Sequence, residues 1–107
     1  MIENYVKTSK PATVTGAIYA FPDGYPGLLE HGQDTVHGEV LELSNLTSAF
    51  ALLDAYEGDD FIRIIKVVTL ENCEETHAWV YVLADERMVE GATRIESGDW
   101  IEYERSL

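Results

Sequence analysis

The sequence predicts an α+β domain: a small, mainly antiparallel sheet, closed into a β-barrel or strongly curved, with one main helix packed against it. Several stretches are rich in β-branched and aromatic residues and are parted by turn-forming links. Leu46 to Tyr56 carries the chain's well-marked helical repeat. The strand-like stretches follow one another closely, which favours antiparallel pairing between sequence neighbours, and closure into a barrel would remove exposed edges. At 107 residues the chain forms one domain, residues 1–107, large enough for a single core.

Ala12 to Phe21 reads as the first strand, with Gly16 marking a bend or a close approach. Phe21 to Gly27 packs two prolines and two glycines into seven residues, a loop whose path is fixed by ring constraints and positive-φ positions. Thr35 to Leu43 reads as the second long strand. Ser44 or Asn45 can cap the helix, because a short polar side chain there accepts from unpaired N–H groups at the helix start. Phe61 to Leu70 and Thr76 to Ala84 read as an antiparallel hairpin across the acidic link Glu71–Glu75. Asp85 to Met88 reads as a surface turn or a short helical segment, and Ile95 to Glu104 holds Ser97–Trp100 before a final amphipathic piece.

Twenty acidic residues against seven basic ones give a net charge of −13, which repels nucleic acid and anionic membranes. The longest apolar runs are a few residues, far below the ~20 needed to span a bilayer. The N-terminus lacks the pattern of a secretory signal, so the expected location is the cytoplasm. A lone Cys73 fits a reducing compartment, and no cation flanks it to activate the thiol. His31, His37 and His77 have no metal-ligand spacing, and no phosphate loop or nucleophile elbow is present. The expectation is therefore no metal and no cofactor.

One carboxylate stands out. Counting back from Glu57, Leu53, Phe50 and Leu46 lie four, three and four residues apart, which is one face of a helix, and Gly58 follows as a stop. Glu57 continues an apolar stripe. Burial and the negative end of the helix dipole both disfavour its ionised form, which raises its pKa toward that of a general acid/base working near neutrality. A solvated carboxylate at a frayed helix end is the plainer alternative.

Seven short pieces stand in order along the chain: Thr15–Tyr19, Tyr25–Leu28, Val36–Val40, Leu53–Gly58, Phe61–Arg63, Ala78–Tyr81 and Ser97–Trp100. Together they resemble the γ-glutamylcyclotransferase-like superfamily, including its AIG2-like branch. The resemblance implies a small mixed barrel with an internal pocket. It also implies a reaction in which a γ-glutamyl amine or peptide is cyclised to 5-oxoproline with release of the amine. Glu57 is then the acid/base, Tyr25, Pro26 and Gly27 form a wall of the pocket, and Tyr19 and Tyr81 are neighbouring substrate-binding candidates. Arg63 shares a strand face with Phe61 and Ile65 and is expected to pair with Asp54 or Glu57, as a structural ion pair before a catalytic one.

Members of this superfamily begin with a strand and loop of the form Tyr-Gly-Thr/Ser-Leu, and nothing of that form precedes Tyr5. The expectation is a barrel lacking its first strand. Such a barrel carries an open edge through which a homodimer can form. An alternative function follows: a non-catalytic small-molecule-binding or assembly member of the same fold.

Overall fold

The computed structural model describes residues 2–107. Five strands are present, β1 Val6–Ala20, β2 Pro26–Leu43, β3 Phe61–Leu70, β4 Glu75–Leu83 and β5 Thr93–Arg94, with helices α1 Leu46–Glu57 and α2 Trp100–Arg105. All pairings are antiparallel, in the order β2-β1-β3-β4, with β5 on β1.

β1 and β2 form one long hairpin, paired from Val6 opposite Leu43 to Ala20 opposite Pro26. Both strands are longer than their sequence patterns suggest, because Lys7–Pro11 and the stretch after Pro26 are held by pairing and not by apolar alternation. The turn is correspondingly short: Gly24 N–H donates to the Phe21 carbonyl at 2.9 Å and Phe21 N–H to the Tyr25 carbonyl at 3.0 Å. Register slips between Val6 and Thr8 and again at Gly16, which faces Asp34 while Ala17 faces Leu29, so residues 30–33 bulge from the ladder. Arg94 on β5 forks onto Asp34 beside this bulge, at 2.9 and 2.6 Å.

β3 and β4 form the second hairpin, in register from Phe61 opposite Leu83 to Thr69 opposite Glu75. The ladder between the two hairpins has just two residue pairs, Ala12 with Leu70 and Thr13 with Thr69. Beyond them β1 and β3 diverge, and Lys66 spans the opening: its Nζ donates to the carbonyls of Thr15 at 2.8 Å and Glu30 at 3.1 Å. Charge-assisted bonds of this kind contribute about 1.5–3 kcal/mol each before solvent competition. Lys66→Met is therefore expected to cost about 2 kcal/mol in urea unfolding, and an unchanged midpoint would show that the two carbonyls are satisfied by water.

The expected closed barrel is not formed. Closure would require β2 and β4 to share a ladder, but the outer edge of β2 is met by the Ser97–Trp100 turn, where His37 N–H donates to the Gly98 carbonyl at 2.8 Å. The sheet therefore curls like a C that stops short of closing. Its core is small: Ile18, Ala20, Leu28, Val36, Val82 and Ile95, with Trp100 and Tyr103 of α2 packed against them. The exposed surface is 7103 Å², against about 6,000 Å² for a compact monomer of this mass.

α1 starts at Asn45, whose side chain accepts from Ser48 N–H at 3.3 Å. It ends at Gly58, which takes φ 67° and donates its N–H to the Asp54 carbonyl. A single 3-10 turn, Gly58–Asp60, leads directly into β3. The helix terminus is thereby fixed beside the β3–β4 hairpin, where Ala84 N–H donates to the Asp60 carbonyl at 2.9 Å.

Candidate functional site

α1 lays its apolar stripe along a cavity of about 430 Å³ that opens between the β1–β2 hairpin and β4. Leu46, Phe50 and Leu53 line it. The sequence reading placed this stripe in a core, but the helix buries fully only Ala49. The stripe walls an open cavity, because the sheet has not closed over it.

Glu57 is the next member of that stripe, one turn past Leu53 and so roughly 6 Å further along the helix. It is half-buried, and burial holds its carboxyl above the usual glutamate range. The direction agrees with the sequence argument, with burial as the cause.

The β3–β4 register sets Arg63 opposite Tyr81 and Ile65 opposite Trp79. Arg63 reaches back to α1, where Nε and Nη2 each lie 3.2 Å from an Asp54 carboxylate oxygen. Its guanidinium also lies 3.8 Å from the Phe50 ring centroid and 4.9 Å from that of Trp79. The cation sits in the corner of two rings that meet edge to face, with centroids 5.8 Å and planes 78° apart, and its weakly hydrated planar faces suit arginine and not lysine there. Of the two expected partners for Arg63, the structure pairs it with Asp54.

Tyr81 lines the cavity, and its hydroxyl donates to the same Asp54 carboxylate. Burial first, then the bond to Asp54 and the charges of Asp54 and Glu57, push the phenol well above its ordinary range. Tyr81 therefore stays protonated and remains a donor. Asp54 is held below the usual carboxylate range, first by the Tyr81 hydrogen bond and then by Arg63. Two carboxylates three residues apart on one helix are thus driven in opposite directions, Asp54 toward the ionised form and Glu57 toward the protonated one. Such divergence separates a fixed charge from a group able to gain and lose a proton.

The remaining candidates lie elsewhere. Tyr25 stacks on Phe21, with centroids 4.9 Å apart and planes 9° apart. Pro26 opens β2, and Tyr19 is half-buried opposite Gly27 on one side and Arg94 on the other. Gly27 is buried where a Cβ would stand 2.7 Å from Phe21 Cε2 and 2.9 Å from Leu83 Cδ2, so only glycine fits without movement. Tyr19, Tyr25, Pro26 and Gly27 form the turn end of the long hairpin and do not line the cavity. Leu83, two residues beyond Tyr81 on β4, joins that end to the Glu57 end.

Sequence reasoning missed the Asp54–Tyr81 bond and the Phe50–Trp79 corner that receives Arg63. Counting back from the short Glu71–Glu74 link would have set Arg63 opposite Tyr81. Nothing comparable marks the approach of α1 to that pair. Among the described residues, no group of three or more His, Cys, Asp or Glu is placed to hold a metal ion. No helix among them is long and apolar enough to cross a membrane.

Compared with known proteins, the sequence matches the family described as Gamma-glutamyl cyclotransferase, AIG2-like, over residues 1–102. The chain belongs to that family. It is 40% identical over 83 residues to the Gamma-glutamylcyclotransferase family protein ytfP of Citrobacter rodentium, covering 76% of this chain and 64% of that one. It is 39% identical over 83 residues to YtfP of Escherichia coli K12, covering 76% and 65%. The chain thus spans slightly less than two thirds of the length of these curated relatives. The solution structure of protein ytfP from Escherichia coli superposes with a TM-score of 0.56 at 32% identity, over 87% of this chain and 80% of that one.

The seven family-like pieces occupy defined places in this gamma-glutamyl cyclotransferase-family fold. Thr15–Tyr19 lies in β1, Tyr25–Leu28 at the start of β2 and Val36–Val40 further along it. Leu53–Gly58 closes α1, Phe61–Arg63 opens β3, Ala78–Tyr81 lies in β4, and Ser97–Trp100 forms the turn into α2. Three of them, Leu53–Gly58, Phe61–Arg63 and Ala78–Tyr81, converge on the Asp54, Glu57, Arg63 and Tyr81 group.

Proposed function

We propose that this family member cyclises a γ-glutamyl amine or peptide to 5-oxoproline and releases the amine, with Glu57 as general acid/base. The carrying observation is the position of Glu57, half-buried with a raised pKa on the helix stripe that walls the cavity, one turn from an ionised Asp54. The substrate's α-amino nitrogen attacks its own γ-carbonyl carbon, forming one C–N bond. Glu57 carboxylate takes a proton from that nitrogen and delivers it to the departing nitrogen as the original amide bond breaks. No water is consumed and no redox partner is needed.

Proximity supplies much of the acceleration, since an intramolecular cyclisation needs mainly orientation and a well-timed proton. Tyr81, held protonated by Asp54 and so aimed at the cavity edge, acts as a positioning residue. Incubation with a panel of γ-glutamyl amines and peptides, with 5-oxoproline as the readout, tests this reading. Equal release by wild type and Glu57→Gln would remove Glu57 from the mechanism. Absence of release from every member would favour the non-catalytic reading of the fold, a small-molecule binder.

We also propose that the chain works in the cytoplasm as a homodimer formed along an open sheet edge. The surface in excess of a compact monomer, about 1,100 Å², exceeds the ~800 Å² per partner of a standard interface. Light scattering is expected to give twice the chain mass. A strict monomer at tens of micromolar would dismiss the dimer.

A further inference from the structure

We infer that two copies of this chain join along the outer edge of β4, so that their sheets continue into one across a two-fold axis. The inference rests on the homodimer reading above and names the surface that it uses. The end strands of the sheet are β2 and β4, which leaves two long candidate edges among the described residues. β2 is blunted at several points. It opens on Pro26, bulges at residues 30–33, carries Glu30, Asp34, Glu39 and Glu42, and is met by the Ser97–Trp100 turn. Proline, bulges, charges and covering loops are the devices that keep an edge strand from pairing with another chain.

β4 lacks these devices over most of its length. It runs in unbroken register with β3 from Glu75 to Leu83. Thr76–Leu83 holds no Asp, Glu, Lys, Arg or Pro, although 25% of the chain is charged. The first half of the strand is open to solvent: Glu75, Thr76 and His77 are exposed, and Trp79 is 48% exposed. The backbone N–H and C=O groups on its outward side have no neighbouring strand in the sheet, so they are free to bond to one.

Charge decides where a second copy can sit. Each copy carries −13, so two copies repel wherever acidic surface meets acidic surface. A two-fold axis pairs a strand antiparallel with itself, and side chains of one face stay together only in registers centred on a residue. Centred on His77, Ala78 or Trp79, such a register sets Glu75 opposite residue 79, 81 or 83 of the second copy, none of them charged. The same operation on β2 would crowd the four carboxylates of each copy onto one ladder. Ala78, Trp79, Val80 and Tyr81 also line the α1 cavity, so a strand paired about 4.8 Å from β4 borders the cavity opening and sets the two cavities on either side of the axis.

The test measures the dimer dissociation constant by light scattering and sedimentation for wild type, His77→Asp and Gln33→Asp. Both substitutions add one negative charge at an exposed position, so long-range repulsion changes equally, and only His77 lies on the β4 edge. The expected result is a constant that rises about tenfold or more in His77→Asp and stays within about twofold in Gln33→Asp. In wild type it should fall as salt is raised, because salt screens the repulsion between like-charged copies. A dimer that salt weakens, or that both variants weaken equally, joins elsewhere, which overturns this inference and leaves the homodimer reading intact. A monomer at every concentration removes both.

Hydrogen exchange on the unsubstituted chain gives a second readout. Outward amides of Thr76–Trp79 should exchange more slowly in concentrated than in dilute protein, with those of β2 unchanged. Equal exchange at both concentrations, in a chain that scatters as a dimer when concentrated, overturns the β4 assignment.

Discussion

Glu57→Gln is expected to reduce 5-oxoproline release by about 10²–10⁴-fold, the range contributed by a well-placed general acid/base, while leaving the chain folded and slightly more heat-stable. Burial raises the Glu57 pKa in the folded chain above its unfolded value. Between those two values the folded state holds more protons than the unfolded one, so stability falls as pH rises through that window. Above it, the cost of an ionised, half-buried carboxylate is fully present, and the neutral glutamine removes it. Activity runs the other way. The attacking amine needs the ionised base, so the rate rises with pH along a limb displaced above the ordinary glutamate range, and the Glu57→Gln protein should lack that limb. A lower melting temperature together with lost activity would mean that Glu57 holds the fold and not the proton.

The largest expected structural effect belongs to Gly98→Ala. Gly98 is buried at φ 71°, and a Cβ added there would drive into the Thr35 backbone carbonyl. The same residue accepts His37 N–H at 2.8 Å and donates to the Ile95 carbonyl at 3.0 Å, so the turn cannot move away without releasing β2. Left-handed strain and a backbone collision together cost about 3–5 kcal/mol. Against a domain stability of about 5–15 kcal/mol, that lowers the melting temperature by roughly 15–30 °C. Gly38→Ala is the control: it lies on the same strand as Thr35, its added Cβ meets nothing within 4 Å, and it should shift the midpoint little. A Gly98→Ala midpoint within about 5 °C of wild type would show that this turn is free to relax.

Local signals carried some of the architecture and not the rest. The limits of α1 are readable because Asn45 caps it, the 46-50-53-57 spacing runs through it and Gly58 stops it. β3 and β4 are readable to within a residue, since Ile, Val, Trp and Tyr fill both sides of a short acidic link. Val6–Pro11 is a strand with no such signature: Lys7, Thr8, Ser9 and Lys10 are exposed, and the extended form of this stretch comes from Val40 to Leu43 across the ladder. The open sheet is equally silent in the sequence, because closure depends on register between strands distant in the chain.

At the site, the suspicious position of Glu57 followed from spacing, and its raised pKa followed from burial. The partnership of Asp54 with Tyr81 could not, because it depends on how a helix settles against a hairpin it does not touch in sequence. Tyr19, Tyr25, Pro26 and Gly27 show the converse limit. Resemblance grouped them with the acid/base, and the fold sets them at the hairpin turn, joined to the Glu57 end through Leu83.

The β1–β3 ladder is just two pairs, Ala12–Leu70 and Thr13–Thr69, with Lys66 as a tether across the gap and Val82 of β4 packed among Ile18, Ala20, Leu28 and Val36. The α1 cavity has its walls on both hairpins, so its width depends on how they pack across that short junction as well as on the bulk of its side chains. Opening at such a boundary takes less free energy than unfolding either hairpin. Amide protons along the β1–β3 junction should accordingly exchange with solvent well before those within β1–β2 or β3–β4.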